Sequence, residues 1–261
     1  MVTPLLISTS QIAGWIGEFM WPFMRIGMML MVMPVFGGQL VPARVRILTA
    51  VVIAAILVPV IPAAPAVDPL SAEAVAITVQ QLAIGMVMGF MLQLVFSALV
   101  IGGHAIAMSM GLGFASMVDP QNGVNVPVIG QYYVTLATLL FLVLDGHLVL
   151  ISVLAESFHQ LPIAAHGLSR DTFWTLANWG TRMFAGGVLI AVPALIALML
   201  TNIAFGVVSR AAPQLNIFGV GFPVTLTFGF VVIYLTLSNL VPQFQVLLHD
   251  AFTLLGSLGA D

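Results

Sequence analysis

Apolar residues run almost without interruption along this chain, and the few polar ones gather in the gaps. Six windows read as apolar helical segments: 11–34, 45–62, 75–106, 127–154, 183–208 and 218–248. About 20 mainly apolar residues suffice to cross a bilayer as an α-helix. The third and last windows exceed one upright span, so they are expected to tilt, break or project from the membrane. "VPVIPAAPAVDP", 58–69, is expected to be a loop, because each proline removes a backbone donor and interrupts a helix. No short tandem repeat or low-complexity tract is present.

One stretch departs from this pattern: "AMSMGLGFASMVDPQNG", 107–123. Met108, Met110, Leu112 and Phe114 are large, while Ser109, Gly111, Gly113 and Ala115 between them are small. That is a period of two, not of 3.6. "IGGHAIAMSMGLGF", 101–114, is dense in glycine and predicts a broken helix, and "DPQNG", 119–123, is a strong turn signal. Non-helical backbone at membrane depth is tolerated only where protein buries it or it lines a cavity. The strip is therefore expected to line or fill something. On the residues alone two readings fit equally: an apolar constriction that excludes water and ions, or an ordinary inter-helix loop packed inside the chain.

The polar gaps suggest an orientation. Arg44 and Arg46 follow the first window, and Arg210 lies between the fifth and sixth. Placing them in the cytoplasm, as the positive-inside rule asks, puts both termini outside. Arg170 and Arg182 then fall on the outer side, against the rule. The stretch 155–182 mixes polar residues with Trp174 and Trp179, which suits a membrane–water interface. A short amphipathic helix is predicted to begin there, near Ser169, Arg170 and Asp171.

Composition narrows the class. Of 261 residues, 61% are hydrophobic and only 6% charged, against about 25% charged in an ordinary soluble domain. There is no lysine, and the net charge of −3 is too small and dispersed to imply nucleic acid or an acidic partner. The absence of cysteine excludes disulfides, thiol catalysis and thiolate metal sites. The first basic residue is Arg25, inside the first apolar window, so the basic n-region of a cleaved signal peptide is missing. The first segment is expected to stay in the mature protein.

Few side chains could carry chemistry. Glu18 and Arg25 share a helical face seven residues apart, too far along the axis to pair. A proton or ion relay would want more acids nearby, so anchoring against neighbouring subunits is the favoured reading. Met20, Met24, Met28 and Met31 form a helical stripe, read as packing rather than as a soft-metal site. Asp145, Gly146 and His147 are read as the end of a segment at the interface, and His104 as a structural residue facing a polar cavity. No hydrolase, zinc or nucleotide-binding motif is present, and the glycines at 111 and 113 lack the third glycine and context of a dinucleotide loop.

Three stretches are familiar: "MPVFGGQLVPARVRI" (33–47), "GGHAIAMSMGLGFASMVDPQNGVNVPVIGQ" (102–131) and "SRAAPQLNIFGVGFPV" (209–224). In these motifs, and in length and segment order over nearly its whole extent, the chain resembles the FliR family. These are the R subunits of type III secretion export gates, here of the flagellar branch. The resemblance implies an all-α integral membrane protein. Residues 1–182 would be helices like those of a P subunit, and 183–261 a helical hairpin like that of a Q subunit. It implies a pore-forming, non-enzymatic component of a protein export gate, without cofactor or metal. Its partners would be the P and Q subunits, the B switch subunit, unfolded export substrates and membrane lipid, with no nucleic acid. It implies a place in the bacterial inner membrane at the flagellar basal body. The family's channel plug maps onto Met110, Gly111, Leu112, Gly113, Phe114, Ala115, Ser116, Met117 and Val118, flanked by a turn at Asp119, Pro120 and Gly123. Arg210, Ala211, Ala212, Pro213 and Gln214 would form the cytoplasmic tip of the hairpin. The rival reading is a secondary transporter of a small solute, with a site at glycine-broken helices near 101–114.

Overall fold

The computed structural model describes residues 9–38, 41–112, 128–211 and 217–259, and every regular element among them is a helix. In chain order these are α1 (Thr9–Val32), α2 (Pro34–Gly37), α3 (Ala43–Leu57), α4 (Ala72–Ser109), α5 (Val128–Val143), α6 (Gly146–Gln160), α7 (Arg170–Ala211) and α8 (Ile217–Leu255). Helices α4, α7 and α8 are each long and apolar enough to cross a membrane, and α5 with α6 could make a fourth span. The chain is thus an all-α membrane protein. At 1.5 Å per residue, α4, α7 and α8 run roughly 57–63 Å, about twice the hydrocarbon thickness, whereas α3 reaches only about 22 Å.

Local chemistry sets several boundaries. Ser71 Oγ accepts the Ala74 amide at 3.1 Å and so caps the start of α4, with Glu73 in its first turn. Ser169 Oγ accepts the Thr172 amide at 3.2 Å and caps α7, whose first turn carries Asp171. The helix starts where its sequence signals lie but is not short: it continues without a break for 42 residues. The fourth apolar window divides, because Asp145 takes a left-handed conformation (φ 55°) between α5 and α6.

The chain forms two compact units. The first comprises residues 1–93, 145–178 and 250–261. In it α1 packs on α3, and also crosses α4 at two glycines. A Cβ on Gly89 would stand 2.6 Å from Met29 O, and one on Gly85 would collide with Arg25 O. Only small residues allow helix backbones this close. The buried line of α1 is Trp21, Arg25 and Met29, continued by Met33 just past its end, while Met31 is 59% exposed. The expected stripe of Met20, Met24, Met28 and Met31 therefore flanks the buried line, because the polar needs of Arg25 fix which face turns inward.

The second unit comprises residues 94–144 and 179–249. Phe96 sits at its centre, edge-to-face with Phe141 at 6.1 Å and Phe244 at 5.7 Å. Gly102 and Gly103 do not break α4; they are its contact points. A Cβ on Gly102 would lie 2.9 Å from Gly187 O, and one on Gly103 would lie 3.1 Å from Gly130 Cα. The glycines serve close approach of α7 and α5 rather than a kink. His104 is exposed. Burial separates the long helices. In its most apolar window α4 is 67% buried, against 33% for α7 and 28% for α8. Leu189, Ile196, Met199, Leu200, Ile203 and Val207 of α7 are all exposed.

Candidate functional site

The end of α4 carries the start of the alternating strip. Leu112 N–H donates to Ala107 O at 3.0 Å, and Gly111 N–H donates to Met108 O at 3.1 Å. Together these bonds make a Schellman stop, with Gly111 in the left-handed region at φ 84°. An L-residue pays for that conformation and glycine does not. Met108 and Ser109 thus belong to the last helical turn, and the expected non-helical segment begins only at Met110.

Met110 is fully buried. Its side chain lies against Gly229 of α8, where an added Cβ would stand 2.6 Å from both Cγ and Cε and 2.9 Å from Sδ. Phe222, also on α8, would be 3.3 Å from a Cβ on Gly111. Beside this contact opens a groove of about 710 Å³, bounded by Met108–Gly111, by Phe205, Gly206 and Ser209 of α7, and by Phe222 and Thr225 of α8. The groove is mainly apolar with a few hydroxyls, of which Ser109 Oγ already bonds Ala105 O and Ser209 Oγ bonds Gly206 O.

Of the anticipated site residues, the structure brings Met110, Gly111 and Leu112 together at this helix end. Arg210 lies exposed in the last turn of α7, next to the groove residue Ser209. Gly113, Phe114, Ala115, Ser116, Met117, Val118, the turn residues Asp119, Pro120 and Gly123, and Ala212, Pro213 and Gln214 lie outside the described residues.

A second polar centre lies in the first unit, and sequence reasoning missed its partners. Arg25 is fully buried. Its Nε donates to Gln81 Oε1 at 2.8 Å, Nη1 to Ser157 O at 3.0 Å and Ser157 Oγ at 3.1 Å, and Nη2 to Leu161 O at 2.7 Å. The guanidinium also stacks over Phe158, 4.0 Å from the ring centroid. All these partners are neutral, but two are carbonyls at the C-terminus of α6, the negative end of that helix dipole. Arg25 therefore anchors α1 within its own chain rather than against a neighbouring subunit, and Glu18, on the exposed side, is not among its partners. Trp21 adds a bond from Nε1 to Thr78 Oγ1 at 3.2 Å. Arg46 plays a smaller version of the same part: Nη2 donates to Gly38 O at 2.6 Å and Val41 O at 2.8 Å. Among the described residues no three His, Asp or Glu side chains converge as metal ligands.

The family profile of bacterial export proteins, family 1, matches residues 16–251. The chain belongs to this family of bacterial export proteins. It is 37% identical to a flagellar biosynthetic protein FliR of Pectobacterium carotovorum subsp. carotovorum, over 97% of each chain. It is 36% identical to the protein of that name from Escherichia coli (strain K12), again over 97% of each, and 29% identical to that of Bacillus subtilis (strain 168), over 84% of this chain and 86% of the relative.

Proposed function

We propose that this chain is a pore-forming subunit of a flagellar type III protein export gate. In this reading, the strip at 110–118 closes the channel until an unfolded substrate passes. The observation that carries the export role is the match to FliR relatives over 97% of both chains. Geometry supports the plug. The strip leaves α4 through a glycine-dependent stop and starts with a buried methionine beside an apolar groove. The groove has residues from the C-terminal ends of both α4 and α7, Met108–Gly111 and Ser209.

The chain would act in the inner membrane at the flagellar basal body, with P and Q subunits and the B switch subunit as neighbours. Those neighbours would cover the apolar faces of α3, α7 and α8. In this reading 1–182 is the P-like part and 183–261 the Q-like hairpin, whose first helix would be the part of α7 from residue 183 onward, since α7 runs unbroken across that boundary. Energy for transport comes from elsewhere in the apparatus; this chain gates rather than catalyses. For the rival transporter reading, α4 is continuous through Gly102 and Gly103 and breaks only at Gly111.

Deleting residues 113–117 tests the plug. The shortened chain should still assemble with its partners, seen by native mass spectrometry of the extracted complex, while the overproduced gate leaks ions and small solutes. A fully assembled, ion-tight gate after that deletion would sink the plug assignment.

A further inference from the structure

We propose that residues 62–70, in the connection between α3 and α4, form a docking arm for a protein that presents an aromatic-lined groove with a basic residue at its edge. The arm lies at the other end of α4 from the groove and does not depend on the plug reading.

Pro59, Pro62 and Pro65 recur at every third position. Each proline fixes its own φ at about −65° and holds the residue before it extended. The conformation that satisfies both is polyproline II, in which residues three apart share an edge. Helical bonding runs out at Ile61, whose N–H still donates to Leu57 O at 3.1 Å. Residues 62–68 then form no regular element. Among the described residues, the one backbone bond donated from within 62–68 is Val67 N–H to Pro65 O at 3.0 Å, a tight bend at Ala66 that ends the extended stretch. Exposure follows the same period. Ile61, Ala64, Pro65 and Val67 are half-buried, while Pro62, Ala63, Ala66 and Asp68 are exposed. Ile61, Ala64 and Val67 share one edge, so the arm lies on its own chain along that edge and leaves Pro62 and Ala63 open.

A mere connection needs none of this. Residues 58–70 are apolar apart from Asp68, yet Val60 is 66% and Leu70 95% exposed. Leu70 is held in place by local bonds: its N–H donates to Asp68 Oδ1 at 3.0 Å, and Ser71 N–H donates to Asp68 O at 2.9 Å. An exposed leucine on a fixed turn beside an apolar arm is a surface for something else to bury. The prolines order the arm in advance, so docking costs it little entropy. Polyproline II segments with the P-x-x-P pattern, here Pro62 to Pro65, dock in grooves lined by aromatic rings. Charge specifies the rest of the partner. Asp68 and Glu73 are exposed, and 58–73 contains no arginine, lysine or histidine. A basic side chain at the edge of the groove would pair with them. The same acids disfavour a lipid surface as the occupant, since membrane surfaces attract basic segments.

The test expresses the full-length chain in its native cells, with a photoreactive benzoylphenylalanine at position 63, on an open edge, or at 64, on the covered one. Position 63 should cross-link to one other protein, and mass spectrometry should map the linked peptide beside aromatic residues and an Arg or Lys. Position 64 should link several-fold less. P62A/P65A keeps the length of the arm and touches no helix, so the chain should reach its parent level in the membrane. Its cross-link from 63 should fall about tenfold, because the freed arm must be ordered on docking. D68N/E73Q keeps the acceptor for Leu70 N–H and removes only the charges, and should lower the yield several-fold. If P62A/P65A reduces the amount of chain in the membrane, D68N/E73Q carries the same test without altering the backbone. Cross-links confined to this chain or to lipid, a partner surface without aromatic residues, equal linking from 63 and 64, or a yield that the charge-removing variant leaves unchanged would each overturn the docking arm.

Discussion

Replacing Arg25 by methionine should cost this protein a large part of its stability, and the cost can be worked out from the bonds lost. The variant keeps the length of the side chain and removes the charge and its N–H donors. Ser157 O keeps the Leu161 amide as a donor at 2.9 Å. Gln81 Oε1 and Leu161 O lose the donors that Arg25 gave them at 2.8 and 2.7 Å. A buried acceptor left unsatisfied costs about 1–3 kcal/mol, and loss of a desolvated cation–π contact costs about 2 kcal/mol. Against this, the methionine no longer carries the desolvation cost of a buried cation. A net loss of about 2–4 kcal/mol is expected, a substantial share of the roughly 5–15 kcal/mol by which proteins are stable. Arg25→Lys should fall in between. It keeps a positive charge at the end of α6 but loses the planar fork that reaches Gln81, Ser157 and Leu161 at once. The assay is the thermal midpoint and steady-state abundance of the detergent-extracted assembly, with export per surviving gate measured alongside. The expected order is parent, then R25K, then R25M, with unchanged export per gate. A parent-like midpoint for R25M would refute the anchoring role. Normal stability with lower export per gate would mean that Arg25 acts in transport rather than in the fold.

Two further substitutions probe the helix packing. Gly111→Ala puts a side chain in the left-handed region and should destabilise the end of α4 by about 1–2 kcal/mol. Gly111→Asn should cost less, and limited proteolysis near residue 111 ranks the two. Gly89→Val should cost about 1–3 kcal/mol or block folding, since its Cβ meets Met29 O and Val32 Cβ. The folded yield after extraction measures it, and a parent-like yield would contradict the close crossing of α1 and α4.

The helices were legible because long apolar runs leave little else for a backbone to do. The start of α7 was legible too, since Ser169 and Asp171 are local signals that the structure uses locally. Which face of α1 turns inward was not. The buried polar residue that decides it, Arg25, finds Ser157 at a separation of 132 residues, which no local pattern reports. The glycines at 102 and 103 were misread for a related reason. A glycine that breaks a helix and one that admits a neighbouring helix look the same until the neighbour, Gly187 or Gly130, is known. At Gly111 the expectation of a special backbone was right, but its purpose is to end a helix. The continuation of the strip, 113–118, lies outside the described residues.

The Arg25 centre also sets a schedule for making the protein. Its last partner, Leu161, is 136 residues further along the chain. At about 5–20 residues per second, translation takes roughly 7–27 s to cover that distance. Throughout this interval α1 holds a cation with no partner from α6, and a lone arginine in hydrocarbon costs about 2.5–3.5 kcal/mol or more. Although α1 is made well before α6, it therefore cannot settle before α6. It must wait in a wet or protein-lined environment, such as an insertion machine, until the middle of the chain arrives to complete it.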